Sequence, residues 1–177
     1  LAVWNRTPGR ARDLLELGAE WAESPFEAAR EANVVITMVS DDDAIEQVYY
    51  GGDGVMAGLQ PGTVVIDSST ISPGLARRLA EDAAARHCDF LDAPVTGSKP
   101  AAEEGSLVFM VGGRREALDH VRPVLLAMGR DAVHIGGSGS GAVAKLANNM
   151  IGAANLAVLA EGLALAAAAG IDASKLL

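Results

Sequence analysis

Val34-Val35-Ile36-Thr37-Met38-Val39 leads straight into Ser40-Asp41-Asp42-Asp43. An unbroken apolar run of this length, rich in β-branched residues, predicts a strand buried on both faces, as the strands of parallel sheets are. The aspartates behind it predict a helix over Asp42–Tyr50, because short acidic side chains accept the free N–H groups of a first turn. The same alternation extends in both directions. Upstream, Leu1–Asn5 has a strand pattern, residues 8–17 form a helix ended by Gly18, and Ser24-Pro25 opens a second short helix. Downstream, Thr63–Asp67 is a strand and Ser72–His87 a helix. Asp89–Val95 and Leu107–Val111 are strands around a polar loop, Glu116–Met128 is a helix weakened by Pro123, and Ala132–Ile135 is a last strand. A long helix then runs from about Gly141 to Ala169, closed by Gly170, and Asp172 caps the start of another.

Repeated strand–helix units predict an α/β fold: a mostly parallel sheet with helices on both faces, followed by the start of an all-α domain. The boundary falls in the glycine-rich segment, with residues 1–137 in the sheet domain and 138–177 in the long interdomain helix and the start of the helical domain. Leu1-Ala2-Val3-Trp4 has the pattern of a buried strand, so the chain is expected to begin inside its fold, with the first strand of the sheet missing.

The 177 residues suffice for one domain with a real core, or one domain and part of another. Acids outnumber bases 23 to 14, for a net charge of −9. Such a chain repels phosphate backbones and anionic lipid, which argues against nucleic-acid and membrane partners. Residues 150–169 are apolar enough to raise a membrane span. Asn155, Glu161, the many alanines and the lack of a basic flank favour instead a helix buried in protein, at a subunit interface. At ~1.5 Å per residue this helix runs roughly 40 Å and needs a partner. The one cysteine, Cys88, leaves no internal disulfide and fits a reducing, cytoplasmic compartment; beside Phe90-Leu91 it is expected as a small buried residue. His87, His120 and His134 lie apart, with no metal-ligand spacing.

Several short motifs carry chemistry, each beside a plainer reading. Asn5-Arg6-Thr7 ends a strand, where doubly wound sheets meet an adenosine ribose. An acid there would bind a 2′-hydroxyl, whereas Asn, Arg and Thr suit a 2′-phosphate and so favour NADP over NAD; the plainer reading is an ordinary turn. Val39-Ser40 and Thr70 sit at strand ends, where such sheets bind ligands, while Asp41, Asp42 and Ser72 suit helix capping. Thr96, Gly97 and Ser98 make either a small nest for a carboxylate or a polar turn. In Gly136-Gly137-Ser138-Gly139-Ser140-Gly141-Ala142-Val143-Ala144-Lys145-Leu146-Ala147-Asn148-Asn149, Lys145 and Asn149 are four apart and share a helix face. The start of that helix offers free N–H groups and a partial positive charge, which suit an anion. A solvated lysine is the alternative; the glycine run, the Lys–Asn pair and the apolar helix together favour a placed chemical group.

Asn5-Arg6-Thr7, Ile66-Asp67-Ser68-Ser69-Thr70, Asp92-Ala93-Pro94-Val95-Thr96-Gly97, Met110-Val111-Gly112-Gly113 and Gly139 through Asn149 succeed one another as in the β-hydroxyacid dehydrogenases, which include 3-hydroxyisobutyrate dehydrogenase. The chain resembles that family along nearly its whole length. The resemblance implies a Rossmann-like N-terminal domain, an all-helical C-terminal domain and homo-oligomers built through those helices. It implies hydride transfer between NAD or NADP and a small β-hydroxy acid or its semialdehyde. By the same resemblance Lys145 is catalytic and Asn149 holds substrate. Thr96, Gly97 and Ser98 form the substrate-carboxylate loop, and Asn5, Arg6, Thr7, Val39, Ser40 and Thr70 contact cofactor. Gly97-Ser98-Lys99-Pro100 departs from the usual Gly-Gly form and is closer to relatives that reduce glyoxylate or succinic semialdehyde. An imine reductase of the same architecture is the rival enzyme, disfavoured by Lys145; a non-catalytic cofactor-binding module is the rival from another class.

Overall fold

The computed structural model describes residues 1–176. Strands and helices alternate. They are β1 (Ala2–Val3), α1 (Arg12–Glu16), β2 (Glu20–Trp21), α2 (Pro25–Ala29), β3 (Val34–Thr37), α3 (Asp42–Tyr50), α4 (Val55–Gly58) and β4 (Val64–Asp67). Next come α5 (Pro73–Ala84), β5 (Asp89–Asp92), β6 (Val95–Thr96), α6 (Ser98–Glu103), β7 (Leu107–Gly112), α7 (Arg115–Leu126), β8 (Gly129–Gly136) and α8 (Ser140–Ala168).

β3, β4 and β5 pair in parallel, as do β7 and β8, while β7 runs antiparallel to β5 and β6. β1 and β2 form a separate parallel pair. Because side chains alternate across a strand, neighbours serve opposite faces. Val65 and Phe90 join Ile45, Tyr49, Leu75 and Leu79 under α3, α4 and α5. Val64, Ile66 and Leu91 join Leu118, Val121 and Leu125 under α7. The expected sheet with helices on both faces is what forms. The hydroxyl of Ser24, the carboxylate of Asp41 and the hydroxyl of Ser72 accept first-turn N–H groups of α2, α3 and α5.

Several expectations are corrected. Among the described residues β3 pairs with β4 alone, and Ile36 on it is 40% exposed. At the start of the chain the strand is Ala2–Val3, with Ala2 exposed and Val3 half-buried. Asp89–Val95 is broken after Asp92, where Pro94 brings no N–H to a ladder, and β6 resumes against β7. The polar loop behind it winds into α6, and the helix expected over residues 8–17 divides into a 3₁₀ turn, Pro8–Ala11, and α1. Pro123 lies inside α7 without ending it. Cys88, by contrast, is buried as expected, and its thiol donates to the carbonyl of Gln60.

α8 spans 29 residues, and only Gly141, Ala142 and Ala166 are buried. The helix expected to be covered by protein is thus bare over most of its length here. By length and composition it is also apolar enough to cross a membrane.

Candidate active site

Three strand ends and the start of α8 converge. Thr37, Asp67 and Asp92 are aligned partners across β3, β4 and β5, so their side chains form one row on the face shared with α3 and α5. Thr37 Oγ1 donates to Asp67 Oδ1 at 2.7 Å, which leaves the Tyr49 hydroxyl, 2.7 Å from the same Thr37 oxygen, to donate to it. Ser69 Oγ donates to Asp67 Oδ1 at 2.8 Å and accepts the N–H of Val39 at 2.9 Å, tying the β3 and β4 ends together. Asp67 Oδ2 and Ser68 Oγ are buried with no hydrogen-bond partner among the described residues. Burial pushes the Asp67 carboxyl up to about 6, with the hydroxyls of Thr37 and Ser69 pulling the other way.

At the next position in the row, Asp92 Oδ1 accepts the N–H of Gly139 and Oδ2 the N–H of Ala142, each at 2.8 Å. Burial raises the Asp92 carboxyl, and these N–H groups oppose the rise. The α8 start was expected to suit a ligand anion. Asp92 takes that place, since two of its N–H groups and the positive end of its dipole already face an internal carboxylate.

Beside this joint a cleft of about 480 Å³ is lined by Ser40, Asp41, Asp42, Asp43, Thr70, Ile71, Ser72, Pro73 and Leu146. Ser40 and Thr70 are therefore brought together, against the wall of α8. Lys145, the residue before Leu146, is half-buried and makes no ion pair within 4.0 Å among the described residues. Asn149, one turn on, is exposed. The aspartates at the rim are partly committed. Asp41 caps α3 through the N–H of Ala44 and accepts the Ser40 hydroxyl, and Asp42 accepts the N–H of Ser72 at 2.9 Å. The Ala44 N–H chiefly, then Ser40, then the charge of Arg6, hold the Asp41 carboxyl below its ordinary value. Asn5 Oδ1 accepts the N–H of Thr7 at 2.8 Å and shapes the turn, leaving Arg6 and Thr7 exposed.

Hydroxyls on one wall and an aliphatic side chain on the other fit a ribose and a flat ring. The acidic rim does not fit a phosphate, which suits the turn at Arg6 instead. Thr96, Gly97 and Ser98 do not line this cleft. They come after β5 by way of β6, with Gly97 at φ 122° and Ser98 at φ 58°, so two successive residues take backbone conformations that L side chains rarely adopt. Sequence reasoning missed Asp67 and Asp92. The available signal was an acid closing each of two apolar strands, Val64-Val65-Ile66-Asp67 and Phe90-Leu91-Asp92.

A family profile described as the NAD binding domain of 6-phosphogluconate dehydrogenase matches residues 1–136. A second, described as the NAD-binding of NADP-dependent 3-hydroxyisobutyrate dehydrogenase, matches 139–177. The Pseudomonas aeruginosa 3-hydroxyisobutyrate dehydrogenase is 42% identical over 170 residues, covering 96% of this chain and 57% of its own. The NAD-dependent L-serine dehydrogenase of the same bacterium is 40% identical over 176 residues, covering 99% and 59%. The solved Mycobacterium tuberculosis 3-hydroxyisobutyrate dehydrogenase with L-serine superposes with a TM-score of 0.89 at 37% identity, covering 97% and 58%. The chain thus spans under two thirds of the length of these relatives. Between them the two profiles cover both the sheet domain and α8, and the chain belongs to the β-hydroxyacid dehydrogenase family.

Proposed function

We propose that the protein catalyses reversible hydride transfer between NADP, or NAD, and a small β-hydroxy acid or its semialdehyde. The observation that carries this is Lys145, a half-buried cation with no ion pair among the described residues, one residue from the wall of the cleft that Ser40 and Thr70 share. The nicotinamide supplies the hydride chemistry when bound. Lys145 hydrogen-bonds the reacting oxygen, giving a proton in reduction and taking one in oxidation. Asn149 holds substrate, and Thr96, Gly97 and Ser98 bind its carboxylate. Val39, Ser40 and Thr70 hold the nicotinamide half of the cofactor, Asn5, Arg6 and Thr7 the adenosine half. Exposed Arg6 supports NADP, and the description of the second profile points the same way. The named relatives act on 3-hydroxyisobutyrate and L-serine, both small β-hydroxy acids, which supports that substrate class. The fragment Gly97-Ser98-Lys99-Pro100 keeps glyoxylate and succinic semialdehyde among the candidates. The reading includes a homo-oligomer through C-terminal helices, which the exposed apolar surface of α8 supports, and a cytoplasmic place with no nucleic-acid or membrane partner, which the single cysteine and the charge of −9 support.

The test monitors nicotinamide absorbance in the full encoded protein, with both cofactors and a panel of hydroxy acids, semialdehydes and imines. Turnover is expected with a hydroxy acid or semialdehyde and not with imines. Lys145→Ala is expected to lower kcat by at least about 10²-fold while leaving NADP(H) binding nearly intact. Near-wild-type turnover in that variant, or tight cofactor binding without hydride transfer in the parent, would overturn the reading.

A further inference from the structure

Among the described residues α8 is buried against the sheet at its first turn, at Gly141 and Ala142. That turn rests on one side chain. Asp92 is 1% exposed, lies on a strand aligned with β4 on one edge and β7 on the other, and accepts the N–H groups of Gly139 and Ala142. A serine cap would supply one hydroxyl, whereas the carboxylate offers two oxygens and a charge that meets the positive end of the helix. Two glycines close the joint. A Cβ on Gly112 would lie 2.5 Å from Asp92 Oδ1 and 2.7 Å from the Gly141 nitrogen. A Cβ on Gly141 would collide with the carbonyl oxygens of Asp92 and Met110. The helix start therefore has no room to slide. Lys145 lies three residues beyond Ala142, one turn along the same side of the helix.

From this geometry we infer that Asp92 is a positioning residue for the amine of Lys145: locked in the sheet, its carboxylate sets the origin and direction of α8, and with them the point from which Lys145 meets the reacting oxygen. The inference rests on Lys145 being the proton donor and acceptor. Asp92 itself does not touch substrate in this scheme, since both its oxygens face the helix start and burial closes them off.

The test compares Asp92→Asn with its parent in the full encoded protein. The amide keeps the shape but presents an N–H₂ where one of the two backbone N–H groups needs an acceptor. A misplaced amine slows the chemical step without changing how cofactor binds, so kcat falls by about 10–100-fold and KM for NAD(P)H stays within about twofold. The primary isotope effect with nicotinamide deuterated at its transferring position rises, because hydride transfer becomes rate-limiting. Val121→Ala, buried under α7 on the opposite face, lowers the melting temperature but leaves kcat per folded site and the isotope effect unchanged. Wild-type kcat and isotope effect in Asp92→Asn, or a loss matched by the unfolded fraction alone, would overturn the inference. If Asp92→Asn does not fold, Gly139→Ala keeps the carboxylate and strains the turn whose N–H it accepts, with the same kinetic signature expected and unchanged kinetics overturning the inference. Lys145→Ala assayed in parallel separates the two levels. An inactive Lys145→Ala beside a normal Asp92→Asn sinks this inference alone, and an active Lys145→Ala sinks the reading beneath it as well.

Discussion

Asp67 and Asp92 stand side by side in the sheet, and each meets burial differently. Asp92 accepts two backbone N–H groups, one on each oxygen. Asp67 receives two hydroxyls on Oδ1 and none on Oδ2. A buried carboxylate with a bare oxygen is eased by holding a proton, and its pKa rises from 3.8 to about 6. A carboxyl whose folded-state pKa lies above its unfolded value binds its proton more tightly in the fold. The stability it lends is full below the unfolded pKa, drains as pH rises through the folded pKa, and is gone above it. The window here runs from about 4 to about 6, and the span is on the order of 3 kcal/mol. Asp67→Asn has no such titration, so its urea midpoint relative to the parent is expected to climb between about pH 4 and about pH 6.5. A constant difference across that range would show that Asp67 titrates as an ordinary surface acid. Neither acid was legible as buried. Alternation reveals that a strand ends at Asp67 or Asp92 but not which elements later cover that end. Asp41 and Ser72 were legible as caps because the N–H groups they accept lie only three residues away in sequence.

Among elements, α8 shows the same division. Its length and its glycine-rich entry are plain in the sequence, because apolar helix formers continue for some eight turns. What lies at its entry is not plain, because the partner is 47 residues away at Asp92. Of the entry glycines Gly136, Gly137, Gly139 and Gly141, only Gly139 has positive φ, at 87°. A Cβ there would also lie 3.1 Å from the carbonyl oxygen of Pro73 and 3.0 Å from the Arg77 guanidinium. Gly139→Ala is therefore expected to cost about 1–2 kcal/mol in urea denaturation. Gly137→Ala, which meets nothing within 4 Å, should cost well under half of that. Equal effects would mean that the turn at Gly139 is not what fixes the helix entry.

For the whole molecule, the sheet accounts for the core and α8 for the longest stretch of exposed apolar surface. Met150, Leu156, Val158 and Leu165 are each at least 68% exposed, and the helix is apolar on every side. A helix of that kind is ordinarily covered. Under the proposed homo-oligomer, sedimentation of the full encoded protein should show a mass above the monomer. Leu156→Glu with Val158→Glu should shift it toward the monomer while cofactor binding in the sheet domain persists. A monomeric parent at micromolar concentration would remove that part of the proposal. Where α8 goes was legible only as a need for company, because composition measures how much surface must be hidden and is silent on what hides it.

The joint at Gly112, Gly141 and Asp92 also makes α8 a long lever on a short fulcrum. At ~1.5 Å per residue its 29 residues reach roughly 43 Å from the sheet. A pivot of about 5° at the glycines would sweep the tip near Ala168 through roughly 4 Å, while Lys145, close to the fulcrum, would move by less than about 1 Å. Crowding at the remote end would thus reach the amine scaled down about sevenfold, and a single methyl group at the fulcrum would act on it almost undiminished.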